Sequence, residues 1–474
     1  MRPTTFLTTF ILPALSSLPF TSAWLPTKDA STIRGVNLGG LFVIEPWLQH
    51  VTWQNMKCGS QKSEFDCVMS LGQSQADKTF ANHWKTWITE ADLKEMVSYG
   101  INTVRIPVGY WMLEDLVYRD SEYFPKGGYP YLEKICKAAK KLGLYVILDL
   151  HGAPGAQIDK NAFTGQFAPT PGFYQDYQYT RAVTFLGWIT RKIHSKPEVF
   201  GSVGMLQVLN EPLAWHPDVT ATLVSEFYPK AWKRIRYVER ELKVKKSKQL
   251  HVMFMDEMWG SGNPNQAIKE GSELMSYDYH KYVKWDTSVT PTRESYMTYS
   301  CTADLGCKKP LIVGEWSLSV PDNMQESEMF KTSGADAVQW FGKWFVAQQQ
   351  MYERSGLGWV FWNWKTELGD WRWGYRDAVR AGVIPKNLRE SVKWNVCGAY
   401  KKDKRETVET VEAVEAVEVK AEVKRGVEEV VKVPAVEEVH VQAEEPKPSG
   451  VRKSHLARHK SLRRTHAHLV GPSS

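Results

Sequence analysis

Two glutamates close apolar runs that lie far apart in the chain: Glu211 in "LQVLNEP" and Glu315 in "LIVGEWS". A carboxyl pair of this kind suits the cleavage of a glycosidic bond. One carboxyl protonates the leaving oxygen, and the other attacks the anomeric carbon or activates water. Glu211 alone also has a plainer reading, because Pro212 follows it and both Pro and carboxylates favour the first turn of a helix. Other polar residues stand in comparable places. Asn37 and Glu45 follow the first apolar run, Arg105 lies in the second, and Asp149 and His151 end the third. Asn210 precedes Glu211, Asp278, His280 and Tyr282 end the sixth run, and Trp362 and Trp364 end the eighth. Each alone reads as a cap or loop residue, but gathered at one mouth they form a catalytic set. The acid must keep its proton near neutral pH while the nucleophile stays ionised, which Arg105 would favour. Asn210, beside the acid, would hold a sugar hydroxyl next to the reacting carbon.

Such a gathering requires elements that end together. Eight apolar runs recur along the chain: "STIRGVNL", "INTVRIPV", "LGLYVILDLHG", "VGMLQVLNEP", "HVMFMDE", "LMSYDYH", "LIVGEWS" and "LGWVFWNW". Helical periodicity separates most of them, at 84–98, 131–142, 175–194, 222–243 and 327–352. Continuous apolar strands alternating with helices predict an α/β fold with a parallel sheet, and eight such units predict a (β/α)8 TIM barrel. An open doubly wound sheet is the rival, but "GVNLGG" has the wrong spacing for a nucleotide-binding loop. Trp362 and Trp364 face opposite sides of the last strand, and the residues alone do not say which faces the mouth. Phe163, Phe167, Phe173 and Tyr174, and Trp371 and Trp373, read equally as loop packing or as sugar platforms. Glu257 is a possible third carboxylate at the mouth or a cap.

The chain has 474 residues with 20 Trp and 20 Tyr, enough for a large core and suited to stacking on sugar rings. Arg2, the apolar run Phe6 to Leu18 and Thr21-Ser22-Ala23 read as a signal peptide over 1–23, too short and Pro-broken to span a bilayer. No later segment is long enough to span one, so a secreted chain is expected, extracellular or associated with a cell wall. Cys58 and Cys67 could close a local loop, and Cys136 on an apolar helix face is expected to be a free thiol. Cys301, Cys307 and Cys397 compete for one further bridge, and a Cys301–Cys397 bond would tie the end of the globular part to its body. No Cys/His cluster has metal-ligand spacing, so no metal or cofactor is expected, and no Asn-x-Ser/Thr acceptor occurs. Beyond about residue 400 a Val/Glu-rich pseudo-repeat gives way to a basic end, expected to be disordered. Much of the net charge of +7 comes from this end, which could contact an anionic cell-wall surface. A monomer is expected, with no nucleic-acid partner.

The motifs "IRGVNLGGLFVIEPW", "NTVRIPVGYW", "DLHGAPGAQ", "FTGQFAPTPGFY", "LNEP", "DYHKY", "IVGEWS" and "GWVFWNWK" carry a resemblance that runs from Trp24 to Cys397. In order and context they resemble glycoside hydrolase family 5, specifically its fungal β-glucanases. The resemblance implies a catalytic domain over 24–399, with Glu211 as acid/base and Glu315 as nucleophile of a retaining double displacement. It also implies that Arg105, His151, Asn210, His280, Tyr282 and Trp362 bind or orient around them, with Tyr282 and Arg105 orienting the nucleophile. Trp362 would floor the subsite of the reacting sugar, and Glu45 would contact substrate. Further motifs, such as "CGSQKSEFDCVMSLGQ" and "WKTELGDWRWGYRDAVRAGVIP", resemble the branch that cuts β-1,6 bonds inside fungal wall glucan. The long tail over 400–474 and Cys307 depart from that pattern. The alternatives are an exo-β-1,3-glucosidase on the same machinery and a non-catalytic glucan-binding wall protein.

Overall fold

The computed structural model describes residues 32–400, apart from 269–271, 307–309 and 335. The expected signal peptide, the start of the mature chain, the tail after Tyr400 and Cys307 lie outside these residues.

Eight parallel strands close into a barrel in chain order, β1 pairing with both β2 and β8. They are β1 (Ile33–Asn37), β2 (Thr103–Gly109), β3 (Tyr145–Gly152) and β4 (Val203–Gln207), then β5 (His251–Met255), β6 (Met275–His280), β7 (Leu311–Glu315) and β8 (Gly358–Phe361). Each coincides with one of the eight apolar runs. Side chains alternate along a strand, so each strand serves two cores. One parity points inward, where Ile33, Tyr145, Ile147, Met205, Met253, Ile312 and Val360 fill the barrel. The other faces the helices, and Val36, Val104, Val146, Leu148, Leu206, Val252, Phe254, Trp359 and Phe361 join the outer core. Both faces are dry, which is why the strands read as unbroken apolar runs.

Helices at Tyr129–Lys141, Asp176–Ser195 and Tyr228–Glu241 match the periodic stretches closely, the last preceded by a π-helical turn at Leu223–Phe227. Two stretches differ. The run 84–98 is two helices, Gln73–Thr86 and Glu90–Ser98. Thr89 starts the second by a reciprocal capping box with Asp92, and an N-cap residue cannot sit inside a continuing helix. The helix expected over 327–352 runs Ala337–Ser355 instead, its first residues forming turns that end near Gly334. The bridges Cys58–Cys67 and Cys301–Cys397 are present, with Cα atoms 5.2 Å apart in each, and Cys136 is a buried free thiol. No helix among the described residues is long and apolar enough to cross a membrane.

Candidate active site

Above the apolar plug the same inward parity brings polar side chains into one layer. Arg105, on β2, is fully buried and is its hub. Its Nη1 donates to Asn37 Oδ1 and Glu315 Oε1, each at 2.9 Å. Its Nη2 donates to Asn210 Oδ1 at 2.7 Å and lies 3.0 Å from Asp149 Oδ2, and its Nε donates to Gln207 Oε1 at 2.9 Å. Burial alone would disfavour this cation. Asp149, Glu315 and Asp278 outweigh that cost and hold its pKa above the ordinary value. A planar, forked donor suits this task better than an ammonium would.

The layer is also tight in its spacing. Gly314 stands beside Asp278, where its N–H donates to Asp278 Oδ1 at 2.8 Å. A Cβ there would lie 2.1 Å from that oxygen, so the strand carries no side chain at this point. Asp278 in turn accepts from Gln207 Nε2 at 2.9 Å and faces His280 Nε2 at 3.1 Å.

Glu211 and Glu315 meet across the mouth. One oxygen of each lies within 4.8 Å of the other, with a His280 ring nitrogen equally close. His280 Nδ1 is 2.6 Å from Glu211 Oε1 and 3.5 Å from Glu315 Oε2. Burial disfavours charge on His280, but Glu315, Asp278 and Glu211 prevail, and its pKa stands well above the usual value. Its two ring nitrogens each face a carboxyl, Nδ1 that of Glu211 and Nε2 that of Asp278. Tyr282 donates to Glu315 Oε2 at 3.0 Å. Burial pushes the Glu315 carboxyl up, His280 and Arg105 pull it down, and Glu211 pushes it further, leaving it above the ordinary value. Glu211 is the more accessible of the two, with a side chain 14% exposed against 7% for Glu315.

Glu211 does not start a helix. The next helix begins at Pro217, and Glu211 itself has φ +33°, a backbone that turns the chain sharply at the barrel rim. The helix-start reading of "NEP" is thus corrected: Pro217, not Pro212, occupies the first helical turn.

The remaining residues fall on both sides of expectation. His151 Nδ1 is bonded to Asp149 Oδ2 at 2.7 Å, and its ring stacks on Trp362 with centroids 5.8 Å apart. Trp362 packs with Leu48, Tyr282 and Trp373 at the mouth, and its peptide bond to Asn363 is cis. Trp364 points outward, donating from Nε1 to Asp92 Oδ1 beneath the helix layer. Glu45 is buried and accepts from Trp47 Nε1 at 2.9 Å. Burial pushes its carboxyl up to about 8 against that hydrogen bond, and Glu315 and Glu211 add to the rise. Glu257 is exposed and accepts from Asn263, while the cap at that turn is Asp256. Phe173 is core, packed on Tyr179 and Phe227, and Tyr174 braces Gln157 and Leu213 by hydrogen bonds. Phe167 lies under Lys62, and Phe163 reaches His151 edge-on. Trp371 packs on Phe341, whereas Trp373 stands between Trp47 and Tyr282.

Sequence reasoning missed Gln207 and Gln157. Gln207 links Arg105 to Asp278, and Gln157 donates to the carbonyls of His151 and Asn210. The parity of β4 was a usable signal for the first, since Gln207 shares the inward face with Met205. Gln157 closes the motif "DLHGAPGAQ", the one signal that pointed to it.

Residues 66–368 match the model of the family described as Cellulase (glycosyl hydrolase family 5). A curated relative, glucan endo-1,6-beta-glucosidase B of Emericella nidulans, is 50% identical over 413 residues, covering 82% of this chain and all of its own. A glucan 1,3-beta-glucosidase of Blumeria graminis is 29% identical over 402 residues, covering 77% of this chain and 89% of its own. Among solved structures, a rutinosidase from Aspergillus niger superposes with a TM-score of 0.57 at 21% identity, covering 75% of this chain and 98% of its own, which speaks for the fold alone. The chain belongs to glycoside hydrolase family 5.

Proposed function

We propose that this protein is a retaining glucan endo-1,6-β-glucosidase, with Glu211 and Glu315 carrying the chemistry. The observation that carries this reading is the pair itself: one oxygen of each carboxyl lies within 4.8 Å of the other, inside a network with Arg105, His280 and Tyr282. An oxygen pair within that limit leaves little room for the intervening water of inverting enzymes, whose carboxyl groups stand roughly 6.5–9.5 Å apart against roughly 5–5.5 Å in retaining ones.

In this reading Glu315 attacks the anomeric carbon while Glu211 gives its proton to the leaving oxygen. Arg105 and Tyr282 aim Glu315 and favour its ionised form. His280 faces the carboxylate that Glu211 becomes, ready for the second step, in which Glu211 takes a proton from water and the glycosyl ester on Glu315 is hydrolysed. Asn210 holds a hydroxyl of the reacting sugar, His151 and Trp362 shape its subsite, and Glu45 contacts the sugar beyond. The β-1,6 linkage is favoured by 50% identity with the endo-1,6-glucosidase, against 29% with the 1,3-glucosidase. A catalytic domain over 24–399, secretion with removal of 1–23, and contact of the tail with a cell-wall surface belong to the same proposal.

Replacing Glu211 or Glu315 by Gln tests it. Each variant is expected to fold and to lose at least about 100-fold in kcat, the usual scale for a lost acid/base or nucleophile. Full activity in either variant on linear β-1,6-glucan contradicts the assignment.

A further inference from the structure

We infer that Trp215 is a sugar platform on the leaving-group side of the cleft, a role that rests on the assignment of Glu211 as proton donor. Trp215 is 66% exposed, more than any other large apolar side chain among the described residues. A lone exposed aromatic needs no explanation, but this one is held in place by its surroundings.

Its backbone has φ +62°, a conformation that bulky residues avoid unless neighbours impose it. Its N–H donates to the carbonyl of Gly260 at 2.9 Å. Its ring lies over Gly260, where a Cβ would come within 2.5 Å of the indole. Gly260, at φ +93°, thus serves both the turn after β5 and the seat of the ring. Next to it, Trp259 donates from Nε1 to the carbonyl of Pro212 at 2.7 Å and sets its ring edge against His280. The loop that carries Trp215 is therefore tied at one end to Glu211 and along its length to a ring that touches His280.

The position fits one occupant. In an eight-strand ring, the loops after β4 and β5 lie opposite β8 and β1. The β8 and β1 side holds Trp362, Trp373, Trp47 and Glu45. A chain entering there and crossing the two carboxylates emerges past Glu211 toward Trp215. Glu211 protonates the oxygen of the departing piece, so the sugars beyond it are those that leave. A flat, exposed indole suits the apolar face of a sugar ring.

The test is hydrolysis of β-1,6-linked gluco-oligosaccharides of two to six units by the full chain, by Trp215→Ala and by Trp215→Phe. Trp215→Ala is expected to lose about tenfold in kcat/KM on the longest oligomer, roughly one stacking contact, through KM, with a smaller loss on the dimer. Trp215→Phe is expected to restore most of it. Equal kcat/KM for parent and Trp215→Ala on the longest oligomer overturns the platform. So does a loss in kcat of the same size at every length, which marks a merely structural role. A parent chain inert on every oligomer overturns the proposed function and the platform with it, whereas an active parent with an unaffected variant overturns the platform alone.

Discussion

Glu315 has the most to gain and lose from its neighbours. Burial and Glu211 favour its neutral form, His280 and Arg105 favour the ionised one, and the balance leaves its pKa above the ordinary value. With Glu315 as the proposed nucleophile, a protonated carboxyl cannot attack, and activity is expected to fall as pH drops through its pKa in the free enzyme. The acid limb of kcat/KM is therefore expected above the ordinary carboxylate range, and a limb within or below that range contradicts the charge balance. Much of this residue set was legible because Glu211, Glu315, His151 and His280 close apolar runs, where a polar residue in a parallel barrel meets the mouth. Gln207 was missed although its shared parity with Met205 was a usable signal, because "VGMLQVL" reads as strand interior until Arg105 and Asp278 stand beside it. Trp215 was hidden for another reason: the loop after Pro212 has no periodicity to place it.

At the scale of elements, strand parity builds the site, and Gly314 is where β7 crowds the Asp278 carboxyl of β6. Gly314→Ala would drive a methyl to 2.1 Å from Asp278 Oδ1. It is expected to cost about 1–3 kcal/mol in denaturant unfolding, as overpacking does. Activity should fall as well, because Gly314 directly precedes Glu315 on β7 and Asp278 supports His280 and Gln207. A variant as stable and active as the parent contradicts this. All eight strands were legible as apolar runs, since both faces of a parallel barrel are buried. Helix boundaries were less so. Periodicity ran straight through Thr89, where the side chain and Asp92 cap a new helix, and the turns before Ala337 share the polarity of a helix surface.

For the whole molecule, the Cys301–Cys397 bridge ties the last described segment to the helix Arg293–Thr302 across 96 residues of chain. Replacing both cysteines by Ala is expected to lower unfolding stability by up to about 4 kcal/mol, with activity at low temperature retained. An unchanged denaturation midpoint contradicts a stabilising role. The bridge was one of several pairings that the residues alone left open, because spacing does not reveal which cysteines approach in space. The barrel and its mouth together support a retaining cut within β-1,6-glucan, and the stereochemistry of the first products tests it most directly. Proton NMR of a fresh digest of linear β-1,6-glucan is expected to show β-anomeric reducing ends first, on oligosaccharides of mixed length. Products that appear first as the α-anomer, or glucose as the sole product, would contradict it.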